Sequence, residues 1–507
     1  MYSLNKSGQR VFALQIHKRY HYANGKFSTF NKPKPFESIP GLGALPLIGP
    51  LHHFLPIIGT IGPKTNMFDV LGILEGKFGP LVKVDGVFAR GTMLFLFEPD
   101  HFEQVYRAEE ANPLRPGFQV LDYYRTQLRK SRYGGLHGLI NAQGPEWREF
   151  RTKVNPALLL PKLVKLYAPG IDEIAQDFVQ RLSQITHDDA YIKDNFELEL
   201  TKFSLEATAL VALGSRLGCL KDSLDSDHPA RRLMKSTRDI FELTYKLEIR
   251  PSPWRYIATP AYKMVIEAYD TQWEISMMYI NHARKKLEQR GYDIPEEEKS
   301  VLEKLIAIDE KVAVMMASEM LLAGIDTVSF VTTSLLFNLA MNQKVQDKLR
   351  EEIRTSESNY KRYFRACLKE ALRLRHVVPA NLRRTHRDHI VGGYYIPKGI
   401  DVIAPNEYLS RSEKFYPQPE EFIPERWLVE KSDPLYYGNA HPLVTLPFGF
   451  GVRSCIGRRI AELEIELLIK RLIEEFKVTW NGPPIKIVNK LTNTFVKPYN
   501  FTFTSVK

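Results

Sequence analysis

The sequence predicts a mainly α fold with small β-sheets, built as one large domain. Three observations predict it. Apolar residues recur with helical period over most of residues 102–354. Short alternating stretches flank that region on both sides. Nothing from Pro35 to Lys507 reads as a linker, although 507 residues would by length alone allow about three domains. With 44% hydrophobic and 25% charged residues the chain is too apolar to be disordered.

The first 34 residues stand apart. Seven basic residues (Lys6, Arg10, Lys18, Arg19, Lys26, Lys32 and Lys34) precede the first acid, Glu37. Removing them from 70 basic and 59 acidic residues leaves 63 against 59, so the net charge falls from +11 to +4. A basic, acid-free leader with Ser3, Ser7, Ser28 and scattered apolar residues reads as a mitochondrial presequence, against the plainer reading of a disordered basic tail. No uninterrupted apolar core of a secretory signal is present. With the leader set aside, the body loses the charge a nucleic-acid partner would need. Residues 35–507 are then the single domain.

Along that domain, the Pro/Gly-punctuated run 39–50 predicts an extended strap, since proline fixes φ and removes a donor. Residues 80–84 and 92–97 predict paired strands. The helical region breaks at 113–116, 134–138, 251–253 and 290–295, where Pro and Gly cluster. Residues 321–340 are apolar enough to span a bilayer, but Asp326 lies inside the run and the helical pattern extends from about 312 to 349, which predicts a buried central helix. Strands return at 394–396, 401–404, 476–480 and 500–504. Cys219, Cys367 and Cys455 lie far apart, which excludes a disulfide scaffold or a Cys-x-x-Cys zinc site.

The strongest chemical signal is Pro447-Phe-Gly-Phe-Gly-Val-Arg-Ser-Cys-Ile-Gly457. A Gly-rich loop delivers one cysteine just before a helix expected over 458–476. The orphan N–H groups and positive dipole of that helix should lower the Cys455 thiol pKa and favour a thiolate. Gly449, Gly451 and Gly457 let the backbone approach a flat group, and Arg453 can reach an anion. A thiolate as sole protein ligand to the iron of a planar cofactor meets these requirements. A plain buried cysteine is the alternative.

The loop matches FxxGxRxCxG at each specified position (Phe448, Gly451, Arg453, Cys455 and Gly457) and so resembles the cytochrome P450 haem-thiolate monooxygenases. The resemblance covers the chain after the leader, because further motifs follow in the family's order. It implies the cytochrome P450 fold, with haem b (iron protoporphyrin IX) between a long central helix and the cysteine loop, and Cys455 as axial thiolate. Ala323-Gly-Ile-Asp-Thr327 resembles the oxygen-activation motif, with Thr327 and Asp326 as catalytic hydroxyl and carboxylate and Gly324 opening the helix beside the cofactor. Val328 stands where many relatives have a second Thr. Glu370 and Arg373 match ExxR, and Arg426 of Pro424-Glu-Arg-Trp427 is implied to join them in a structural network. Arg375-His376 depart from the pattern, since many relatives have proline at the latter position. Trp147 and Arg151 match WxxxR. The resemblance implies that they, with Arg453 and Arg383, hold the cofactor's carboxylates, that Phe448 and Gly449 line it, and that His441 touches it, against a structural histidine.

Arg458 and Arg459 open the helix after Cys455, where a positive dipole makes them locally unfavourable. Together with Arg365 and Lys369 they resemble the face on which mitochondrial members dock an adrenodoxin-like 2Fe–2S ferredoxin, fed from NADPH by ferredoxin reductase. Residues 138–156 look most like arthropod mitochondrial members. The implied reaction uses O2 on a lipophilic small molecule, xenobiotic or steroid-like, in a pocket lined by the central helix and loops near 116–124, 377–380 and 493–496. The implied place is the mitochondrial matrix, with peripheral contact on the inner membrane. Other classes are a haem-thiolate isomerase or dehydratase, which needs no external electrons, and a non-catalytic haem-binding sensor.

Overall fold

The computed structural model describes residues 32–506 apart from 46–47, 57–58, 63–65, 87–90, 110, 160, 187–188, 222–223, 251, 291–294, 296–297 and 356–360. Most of the leader therefore lies outside the described residues. Lys34 does not. It bridges Tyr394, its N–H donating to the Gly393 carbonyl at 2.9 Å, so the folded body begins inside the boundary set at residue 34.

The body is mostly helical. The helices that build the site, in chain order, are α1 (Met67–Phe78), α2 (Pro99–Arg107), α3 (Gly144–Leu158), α4 (Asp189–Ala212), α5 (Glu310–Met341), α6 (Lys361–Leu374) and α7 (Arg458–Glu475). The strands are β1 (Gly41–Leu42), β2 (Leu81–Val84), β3 (Met93–Leu96), β4 (Asn381–Arg384), β5 (His389–Val391), β6 (Tyr394–Ile396), β7 (Asp401–Ala404), β8 (Phe476–Trp480), β9 (Ile487–Asn489), β10 (Asn493–Phe495) and β11 (Phe501–Ser505).

A five-stranded mixed sheet has the order β1-β2-β3-β7-β4. The strap supplies its edge through β1, parallel to β2, and β3 runs parallel to β7 with Leu94 opposite Val402. Three two-stranded antiparallel sheets, the hairpins β5–β6 and β9–β10 and the pair β8–β11 that encloses the latter in sequence, complete the β structure.

Helix α5 is the axis of the molecule. Asp309 caps it, accepting from the Lys311 and Val312 N–H groups at 2.7 and 3.2 Å. It ends at Met341, earlier than the periodicity to 349 suggested: Asn342 breaks the run and a second helix, Gln343–Thr355, starts beyond it. Its length and apolarity would suffice to cross a membrane, yet most of its side chains are buried in the protein on all sides. Helices α4, α6 and α7 pack on it. Apart from its two ends and the half-buried Met320, the exceptions to its burial fall in one stretch. Ala323 is exposed, and Gly324, Asp326 and Thr327 are only half-buried, between turns that are fully enclosed. A helix buried above and below but open in the middle faces an internal cavity there.

Candidate active site

Residues 447–457 fold back on themselves so that Cys455 N–H donates to the Phe448 carbonyl at 2.9 Å. Gly449 (φ 74°) and Gly451 (φ 67°) take left-handed backbone values that cost little only without a Cβ. Cys455 precedes α7 by three residues, and the N–H groups of Gly457 and Arg458 bond towards its sulfur. The sulfur is deep among protein atoms yet accessible, as on a cavity wall. The helix terminus does not win alone. Burial pushes the thiol up, and the two N–H groups with Arg151 and Arg115 only partly offset it. A metal cation bound at the sulfur is what would make the thiolate.

Four guanidiniums gather around this cysteine. Trp147 and Arg151, a turn apart on α3, bring one: Arg151 donates to the Ser454 carbonyl at 3.2 Å and feels the Cys455 sulfur. Arg453 lies over the Trp147 ring at 4.6 Å and donates to the Ala142 carbonyl. Arg115 was missed by the sequence reading. It belongs to the Pro113-Leu-Arg-Pro116 break, its backbone is clamped by the Gln143 side chain (2.7 and 2.8 Å), and Cys455 is among the charges that act on it. Arg383, on β4, ion-pairs with Glu109 at 2.6 Å and donates to the Phe450 carbonyl at 3.1 Å. Glu109 thus pairs with Arg383, which braces the loop through the Phe450 carbonyl while still repelling Arg115 and Arg453. Arg115, Arg151 and Arg453 remain as three positive charges. Burial first, then neighbouring guanidiniums (Arg115 and Arg383 acting on Arg453, Arg383 and Arg151 on Arg115), pulls Arg453 down to about 8 and Arg115 to about 10. Nε of Arg151 and of Arg453 are buried with no acceptor. Such a cluster calls for anionic oxygens.

On α5, the Thr327 hydroxyl donates to the Ala323 carbonyl at 2.6 Å. Asp326 has no hydrogen bond or ion pair among the described residues. Burial raises its pKa to about 6, with Glu197 adding to the rise and Arg238 opposing it. Gly324 does not open the helix, which is continuous there. A Cβ at Gly324 would lie 2.6 Å from Thr208 Oγ1, so its missing side chain lets α4 and α5 pack closely, as does the Ser204–Ser329 hydroxyl contact at 2.9 Å nearby.

Comparison with known proteins settles what this arrangement is. The cytochrome P450 family model matches residues 40–504. The chain is a cytochrome P450. It is 38% identical to cytochrome P450 CYP12A2 of Musca domestica, over 94% of this chain and 93% of that one. It is 37% identical to the protein named probable cytochrome P450 12a5, mitochondrial, of Drosophila melanogaster, over 93% and 91%. To cytochrome P450 12b1, mitochondrial, of Drosophila acanthoptera it is 35% identical, over 88% and 85%. Members of the family are haem-thiolate monooxygenases carrying haem b on a cysteine, as the loop motif implied. The residues fit that group. Arg115, Arg151 and Arg453, two of them with an Nε that has no acceptor, suit the two propionates, while a thiolate at Cys455 would be balanced by the iron.

The P450 core network is complete. Glu370, Arg373 and Arg426 are each wholly buried. Glu370 accepts from Arg373 (2.8 and 2.9 Å), Arg426 (3.1 Å), the Trp427 indole (3.0 Å) and Ile423 N–H (3.1 Å). His441 makes the contacts of a structural histidine. Its Nε2 lies 3.1 Å from Glu103 on α2, and its Nδ1 accepts from Leu443 N–H at 3.2 Å, so both ring nitrogens are used structurally. His376 leaves the turn intact: its ring is buried with a pKa pulled down to about 3, hence neutral, and its carbonyl accepts from Asn493 at 2.8 Å.

Arg365 and Lys369 lie exposed on α6, the latter above the Trp427 and Tyr437 rings. Arg458 is exposed too, ion-paired with Glu462 at 2.8 Å and lying 4.9 Å over the Phe448 ring, while Arg459 bonds the Leu159 carbonyl. A cavity of about 810 Å3 opens between residues 116–127 and a wall the sequence did not single out, Trp254 to Ala258. Gln143, which clamps Arg115, also lines it. Of the other expected pocket loops, Phe495 stacks on Phe330 of α5 at 4.4 Å.

Proposed function

We propose that this P450 inserts one oxygen atom of O2 into a lipophilic substrate, xenobiotic or steroid-like, inside the mitochondrion. Its electrons come from NADPH through ferredoxin reductase and an adrenodoxin-like 2Fe–2S ferredoxin. The observation that carries the reading is the convergence of Cys455 with Arg115, Arg151 and Arg453, in a fold whose central helix opens in its middle around Ala323 to Thr327. The mitochondrial names of two relatives and the basic leader support the compartment, the matrix side with peripheral contact on the inner membrane.

Arg115, Arg151, Arg453 and Trp147 bind and orient the cofactor; Phe448 and Gly449 shape the loop beneath it. Bound haem supplies the electron-transfer and oxygen-activating chemistry. Asp326, whose pKa burial raises to about 6, can take up and release a proton near working pH, and the Thr327 hydroxyl, which donates to the Ala323 carbonyl at 2.6 Å, is the second polar group on the open stretch of α5. The enclosed turns of α5 on either side exclude water.

Reconstitution with ferredoxin, reductase, NADPH and O2, followed by mass spectrometry across lipophilic candidates, tests the reaction. Product formed without electrons would identify an isomerase or dehydratase instead.

Two further outcomes are expected. Asp326→Asn should slow turnover and yet stabilise the fold at high pH. The folded pKa, about 6, exceeds the ordinary aspartate value of 3.8, so the folded state binds the extra proton more tightly and the carboxylate is destabilising above about pH 6. Removing it should yield up to about 3 kcal/mol at pH 8, a gain that fades as pH falls through 6 towards 4. Thermal unfolding across that range reads the effect, and a pH-independent difference would contradict it. Separately, Arg365→Glu with Lys369→Glu should slow reduction by ferredoxin and weaken its salt dependence in stopped-flow measurements, leaving the ferrous–CO spectrum unchanged. Undiminished reduction would remove α6 from the docking face.

A further inference from the structure

The departure at Arg375-His376 leads to a second cavity, of about 390 Å3, away from the cysteine loop. It lies among α1, the end of α6, the short helix Asn406–Ser410 and strand β9. Arg375 sets its guanidinium in the wall. That group makes one hydrogen bond, to Asn338 Oδ1 at 3.0 Å, stacks 5.0 Å from the Phe337 ring, and has no carboxylate partner among the described residues. Burial, and then Arg411, pull its pKa down to about 10 against Glu407 and Glu420. A cation in that position lacks a counter-ion in contact.

The other charged groups on the wall are engaged. Arg411 lies 4.2 Å over the Phe68 ring and holds Glu420 by Nε and Nη2, at 3.0 and 2.6 Å. Asp69 has an interaction of its own. Glu407 is buried, raised to about 7 by that burial, and accepts from Asn493 Nδ2 at 2.6 Å. The unmet need is therefore for an anion, and the volume suits a small molecule.

Glu407 also connects this cavity to the substrate side. Asn493 bonds Glu407 with one amide hydrogen and the His376 carbonyl with the other, while its backbone N–H donates to the Val377 carbonyl at 2.8 Å. One residue thus ties together the two loops, 377–380 and 493–496, that the family resemblance implies line the substrate pocket.

We propose that this cavity is a second ligand site, which takes a small organic carboxylate on Arg375 and transmits its occupancy through Glu407 and Asn493 to the substrate-facing loops. The transmission rests on the monooxygenase reading of those loops; the binding does not.

The test uses the haem-loaded protein with its active site held by saturating clotrimazole and butyrate as the probe. Isothermal titration calorimetry should show saturable one-to-one binding, weakened about tenfold or more in Arg375→Gln and partly retained in Arg375→Lys. Absence of saturable binding, equal binding in Arg375→Gln, or tighter binding of butylamine would overturn the site. Should Arg375→Gln fail to fold, Ile487→Trp fills the cavity from β9 and should abolish binding; unchanged binding there overturns the site equally. For the transmission, butyrate should shift the clotrimazole spectral dissociation constant in the wild type and not in Arg375→Gln. An unshifted constant in a protein that binds butyrate would overturn it. Neither measurement consumes electrons or forms product, so its failure is distinct from failure of the proposed reaction.

Discussion

Cys455→Ser should abolish the Soret band at about 450 nm that thiolate-ligated haem gives when reduced under carbon monoxide, and monooxygenation with it. The substitution is close to isosteric, so the loop should keep its shape: the Cys455 N–H to Phe448 carbonyl bond and the left-handed turns at Gly449 and Gly451 do not involve the sulfur. What is lost is the electron-rich ligand. A thiol already raised by burial is deprotonated by the metal it binds, with two backbone N–H groups and the Arg151 and Arg115 charges supporting the anion. A serine hydroxyl is much less acidic and gives up its proton far less readily at the same place. No other thiol can substitute. Cys219 and Cys367 are wholly buried, and burial pushes both upward. Haem should still associate, weakly, because Arg115, Arg151 and Arg453 hold carboxylates independently of the sulfur. A variant retaining the 450 nm band would refute the assignment of Cys455 as axial ligand.

The parts of this site that are contiguous in the chain were legible in the sequence. The cysteine loop, the Trp147/Arg151 pair and Glu370/Arg373 each occupy a few residues of one element, where periodicity and turn chemistry fix relative placement. Strands β6, β7 and β8 were legible for the same reason, since alternation and β-branched or aromatic residues mark them locally. Strand β4 was not, because Asn381-Leu-Arg-Arg384 is too polar to alternate; its inward residue is Arg383, buried by pairing with Glu109. Arg115 was illegible for a related reason. Pro113 and Pro116 read as a break, and only the fold shows that the break presents a guanidinium to the cysteine cavity.

Roles that depend on a distant partner were misjudged even where the residue was chosen. Gly324 was expected to make room beside the cofactor, but Thr208, more than a hundred residues away, explains it. For His441, the alternative of a structural histidine is the one its contacts support, since Glu103 and Leu443 use both its ring nitrogens. At Cys455 the helix terminus, a local feature legible in the sequence, lowers the thiol pKa, but burial, which only the fold creates, outweighs it. The end of α5 follows the same rule: apolar periodicity runs past Asn342, but its side chain turns back to the Asn338 carbonyl at 2.9 Å and the helix stops.

Glu370→Ala should cost about 3–5 kcal/mol, the loss expected when one partner is removed from a buried ion pair. Here one carboxylate serves two fully buried guanidiniums, an indole N–H and a backbone N–H. Alanine would strand all of them away from water. The two arginines in turn hold the chain that leads to the cysteine loop. Arg373 donates to the Ser410, Pro419 and Glu421 carbonyls at 2.8, 2.7 and 3.0 Å. Arg426 donates to the Gln418 carbonyl at 2.6 Å, fixing a non-glycine residue at φ 50°. Backbone of that kind persists only where its surroundings over-determine it. Against a whole-domain stability of about 5–15 kcal/mol, the expected loss removes a large share. Glu370→Gln keeps the shape but not the charge and should fall between. Urea unfolding of the haem-loaded proteins, with the yield of the 450 nm species on expression, gives the ranking wild type, Gln, Ala. An alanine variant unfolding at the wild-type midpoint would mean that the segment 410–426 is held by something other than this carboxylate.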